Sequence, residues 1–65
     1  MKLKEWRRAK GISQEKMAEH LGVHVGTYIN WEKQPEKISI SNAVKISKIL
    51  DVPLNSIIFQ REEAS

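Results

Sequence analysis

The 65-residue sequence has no cysteine, two prolines, three glycines and four aromatic side chains, Trp6, Tyr28, Trp31 and Phe59. Each shortage excludes something. Without cysteine there is no disulfide framework, and no thiolate to attack a substrate or hold a metal. The same absence suits a reducing cytoplasm. No apolar run approaches the roughly 18 residues of a membrane span, and no signal-peptide pattern opens the sequence. Internal repeats, low-complexity stretches and linkers are also missing, so the length allows one domain. A domain this short buries only about 60% of its unfolded surface, and close packing of its elements has to hold it.

What is present points to a folded, helical chain. A hydrophobic fraction of 40% is too high for a disordered tail. The net charge of +3 is modest but uneven. Lys2, Lys4, Arg7, Arg8 and Lys10 crowd the N-terminal end, while Glu62 and Glu63 lie near the other. A basic end favours an anionic partner such as nucleic acid, although a solvated helix face looks the same by charge alone.

Apolar spacing and breakers divide the chain into five short helices, near 2–10, 14–21, 25–33, 40–50 and 54–59, with no period-two stretch for a sheet. Leu3 and Trp6 lie at i and i+3, and Gly11 stops the first helix. Ser13 is a good N-cap for the second, with Glu15 in its first turn and Met17, Ala18 and Leu21 on its buried face. Gly22 ends that helix, and the third follows at once because Tyr28 and Trp31 again fall at i and i+3. Pro35 places a loop over 34–37. Ser39 caps a fourth helix with Ile40, Ala43, Val44 and Leu50 as its apolar positions, and Ser47 small enough for another helix to approach. Pro53 suits the first turn of a fifth, carrying Leu54, Ile57 and Ile58. The expected division is a domain over 1–59 and a mobile tail over 60–65.

Helices two and three, joined by a tight Gly22 turn with Ala18 before it and Val23 after it, have a helix-turn-helix layout. The match extends beyond the turn. Arg7, Ile12-Ser13-Gln14, Ala18 with Leu21-Gly22-Val23, Trp31-Glu32 and Leu50-Asp51-Val52-Pro53-Leu54 together resemble the Xre/Cro/C1 family of phage and bacterial repressors. The resemblance runs from Leu3 to about Ile58 without a gap; Asp51 and Pro53 depart from the family's Leu-Gly-Val-Ser-Leu corner. It implies an all-α, compact, lambda-repressor-like domain that dimerises on two half-sites of double-stranded operator DNA, with helix three in the major groove. A chain of this length looks most like a Cro-type repressor, working in the cytoplasm of a bacterial or phage-infected cell.

The resemblance also implies roles for particular residues. Arg7 and Glu32 match a pair that ties helix one to helix three. Gln14, His24, Lys33 and Lys37 are candidates for the DNA backbone. At about 100° per residue, Thr27, Tyr28 and Trp31 should face the core, leaving Val25, Gly26, Ile29 and Asn30 to read bases. Asn30 can bond an adenine edge, and Val25 with Ile29 forms an apolar ridge suited to thymine methyls. Gly26 lets the backbone come close. Hydrogen-bond readout from this set is thin, so DNA shape should carry part of any preference. The same ridge fits a different class, a protein-interaction module such as an anti-repressor or antitoxin partner. Ile57, Ile58 and Phe59 are consecutive and cannot all face one core, which makes Ile58 and Phe59 the expected contacts of a weak homodimer. His20 and His24 are four apart, but Gly22 interrupts the helix between them and no further ligand completes a metal site. No cofactor is expected, and no nucleophile, base and orienter group together as an enzyme would require.

Overall fold

The computed structural model describes residues 2–57, and these build helices in the expected order. α1 is Leu3–Ala9, α2 Gln14–Leu21, α3 Val25–Lys33 and α4 Ile40–Leu50. A 3-10 turn, Pro35–Lys37, occupies the segment expected as a loop. A fifth helical segment runs over 54–57 to the end of the described residues, which contain no strand. The expected dimer contacts Ile58 and Phe59, and the tail over 60–65, lie outside them.

One chain-reversal device is used three times. α1, α2 and α4 each end on a left-handed residue: Gly11 at φ 70°, Gly22 at φ 69° and Asp51 at φ 56°. After each, the next N–H reaches back to a carbonyl five residues earlier: Ile12 to Arg7 at 3.2 Å, Val23 to Ala18 at 3.0 Å and Val52 to Ser47 at 3.0 Å. That pairing satisfies carbonyls the helix end would leave open, and an apolar residue beyond the cap usually packs back on the helix. Ile12, Val23 and Val52 do so, each half-buried against the core. The recurring pair is therefore a left-handed residue followed by a branched apolar one. Only Asp51 fills the first place without being glycine. A short polar side chain tolerates this conformation, whereas a β-branched one does not. Asp51→Val is expected to cost about 1–2 kcal/mol in a denaturant titration, and Asp51→Gly to cost nothing.

The helix starts are set by Ser13 and Ser39, whose Oγ atoms accept from Lys16 N at 3.0 Å and Asn42 N at 3.2 Å. His24 occupies the same position before α3 without a side-chain cap. The core gathers Leu3, Met17, Leu21, Tyr28, Ile46 and Leu50 from the four helices, closed by Ile57. Ser47 is buried with them and satisfies its hydroxyl by donating to the Val44 carbonyl at 2.7 Å.

Two sequence expectations are corrected. Thr27 does not face the core; it is exposed. The buried arc of α3 is narrow and centred on Tyr28, filled on its flanks by Trp31 and Glu32, so Thr27 falls past its edge. Ile40 is likewise 52% exposed. Its place is taken by Ile38, just before the Ser39 cap, which is buried in the same core as Ala43. These are the positions of a hydrophobic staple, in which the residue before the cap packs against the second turn.

Candidate nucleic-acid interface

The α2–α3 turn presents one face of α3 outward. Val25 is 39% exposed at the first position of the helix. Gly26 and Asn30 are exposed on the same element, and His24 is exposed at its start. A Cβ added at Gly26 would meet nothing within 4 Å, so no neighbour in the protein requires glycine there. Ile29 is only half-buried, on the flank that faces α1. Lys37 is exposed at the end of the 3-10 turn, one turn of chain beyond α3.

The inward side of α3 is tied down by a hydrogen-bonded network. Arg7 Nε donates to Glu32 Oε2 at 2.6 Å, with both side chains over nine-tenths buried. Arg7 Nη1 donates to the Ile12 carbonyl at 2.7 Å. Gln14 Nε2 donates to the other Glu32 oxygen, Oε1, at 3.0 Å. One carboxylate thus joins α1, the start of α2 and the last turn of α3. Burial pushes the Glu32 carboxyl up, but the hydrogen bonds from Arg7 and Gln14, the charge of Arg7 and the nearby Tyr28 phenol outweigh it and hold the group below its ordinary value. The same carboxylate raises the Arg7 guanidinium further, against the effect of burial. Burial, then the neighbouring Glu32 carboxylate, keeps the Tyr28 phenol neutral far above its usual range.

Gln14, expected at the DNA backbone, therefore spends one amide N–H inside the protein. Its place in the fold is nonetheless on a surface cleft of about 410 Å³ between α1 and α3, shared with Ile29 and Lys33. Lys2, Lys4 and Arg8 line the other side, and the Arg7–Glu32 pair is the most buried part of the wall. Sequence reasoning noticed these cations only as a charged end. Their spacing carried more: Lys4 and Arg8 are four apart, which puts both on one helix face.

His20 and His24 are both exposed, and among the described residues no three potential ligands cluster to hold a metal. No helix among them is long and apolar enough to cross a membrane.

Comparisons with known proteins agree with this geometry. A helix-turn-helix family profile matches residues 3–57. The chain is 46% identical over 52 residues to a protein of Methanocaldococcus jannaschii whose name describes an HTH-type transcriptional regulatory protein. That alignment covers 80% of this chain but only 16% of the relative. No solved structure matches. With α1 to α4 and both sides of the turn inside the matched span, the chain belongs to the helix-turn-helix family of the Xre/Cro/C1 type.

Proposed function

We propose that this chain binds double-stranded DNA through α3 and regulates transcription, as a Cro-like repressor seated on paired operator half-sites. The observation that carries the reading is the two-sidedness of α3. Its inner side is fixed by Tyr28 in the core and by Glu32 in the Arg7–Gln14 network. Its outer side offers Val25, Gly26 and Asn30, with Ile29 and Lys33 on the flank. A helix held rigidly with a small, nearly uncharged face outward suits close approach to base edges in a major groove.

In this reading Asn30 pairs with an adenine edge, and Val25 and Ile29 pack on thymine methyls. Gly26, unneeded by the fold, keeps the backbone close to the groove. Gln14, His24, Lys33 and Lys37 contact phosphates and set the register without reading sequence. Ile58 and Phe59 hold a weak homodimer whose half-sites lie about one helical turn apart. The relative's printed name supports the regulatory role.

The test is binding to a mixed duplex pool. The chain should retard the pool, with affinity falling steeply between about 50 and 200 mM salt as counterion release requires. Indifference to duplex at low salt, with retention of a protein instead, would favour an interaction module.

A further inference from the structure

We infer that the cleft between α1 and α3 is a seat for a nucleic-acid phosphodiester, with Lys4 and Arg8 as backbone contacts additional to those on α2 and α3. The inference rests on the DNA-binding reading above and extends it to a second side of the protein.

The cleft holds five cations and one carboxylate, Glu32. That carboxylate is already spent, since Arg7 takes one oxygen and Gln14 the other. Lys2, Lys4, Arg8 and Lys33 are exposed, and their side chains form no ion pair among the described residues. The second ion pair in those residues, Lys16 with Glu19, lies on α2 and offers the cleft nothing. Gathering four unpaired cations around one concavity works against the fold, because like charges four apart on a helix repel. An external anion relieves that repulsion.

The position of the cleft selects the anion. Ile29 and Lys33 belong both to its wall and to the flank of α3. With α3 in a major groove, the strand bordering that groove on the α1 side runs past this flank. Lys4 and Arg8 then face its phosphates from across the cleft. The guanidinium of Arg8 can present two parallel N–H donors to one phosphate, and Lys4 adds a mobile point charge.

The experiment compares salt dependence of duplex binding for the wild type, Lys4→Gln/Arg8→Gln, and a control, Lys45→Gln/Lys48→Gln, whose exposed side chains lie on α4. The control should melt like the wild type and the α1 pair at or slightly above it, because every substituted side chain is exposed and the α1 change relieves like-charge repulsion. The α1 pair is expected to flatten the slope of log K against log salt by about two. At about 0.15 M salt that corresponds to roughly 30-fold weaker binding, equal for all duplex sequences. Arg8→Lys should keep the wild-type slope. The control should change neither slope nor sequence preference. A wild-type slope in the α1 double variant, with duplex binding intact, overturns the seat and leaves the α3 reading standing. No duplex binding by the wild type overturns both. Inorganic tripolyphosphate provides the remaining arm. If it shifts the amide resonances around Arg8 and Lys33 while the duplex slope is unaffected by Lys4→Gln/Arg8→Gln, the cleft takes a free polyanion and the backbone assignment fails.

Discussion

Glu32→Gln is expected to lower the melting temperature by more than about 10 °C. The substitution keeps shape and removes charge, so what it tests is the pair. A glutamine at this position presents an oxygen to one donor but turns its own NH2 towards the other. Arg7 Nε and Gln14 Nε2 both donate to the present carboxylate, so one of them meets a donor. Arg7 is also left as a buried cation without a counter-charge. Removing one partner of a buried pair typically costs about 3–5 kcal/mol. A domain of this size holds roughly 3–10 kcal/mol in all. Each kcal/mol moves the midpoint of so small a domain by about 4–8 °C. The contrast is Glu19→Gln, which removes the exposed Lys16 pair at 3.4 Å; such pairs are worth about 0–1 kcal/mol. An unchanged midpoint in Glu32→Gln would mean the network does not hold α3.

Acid gives a second reading of the same network. The Glu32 carboxyl is held below its ordinary value of 4.5. Its contribution to stability is therefore complete above that unfolded value and is lost as pH falls through the lowered folded one. Glu32→Gln has nothing to lose there. The stability gap between wild type and variant should narrow in acid and stay constant above about pH 5.

Val25→Asp should separate binding from folding. Val25 is exposed at the first position of α3, where His24 supplies no side-chain cap. A carboxylate in a first helical turn interacts favourably with the helix dipole, by about 0.3–1 kcal/mol. The variant should melt at or slightly above the wild-type temperature. In a major groove the same carboxylate would stand among phosphates with no cation opposite, and like-charge juxtaposition costs several kcal/mol. Duplex affinity measured by fluorescence anisotropy is expected to fall more than about 100-fold. Undiminished affinity would remove α3 from the interface.

The fold was legible because its punctuation is local. Gly11, Gly22, Ser13 and Ser39 each act through bonds to residues within five positions, so their types alone announce helix ends. The left-handed cap at Asp51 was not legible, since aspartate does not mark such a cap as glycine does. Thr27 and Ile40 were misplaced because periodicity gives the direction of a side chain but not the width of the arc a neighbour covers. Whether Ile38 or Ile40 fills the core depends on how the 3-10 turn delivers the chain to Ser39. The cleft was hidden for a related reason. Lys4, Arg8, Gln14 and Lys33 come from three helices, and their convergence is a property of packing.

The central claim, that the outward face of α3 reads duplex DNA, is tested most directly by sequencing what the chain retains from a random duplex pool. The account predicts enrichment of one short element, repeated about a helical turn away in inverted orientation. Its preferred positions should include an adenine for Asn30 and thymines for Val25 and Ile29. Retained sequences indistinguishable from the starting pool, from a chain that is folded and binds duplex, would contradict it.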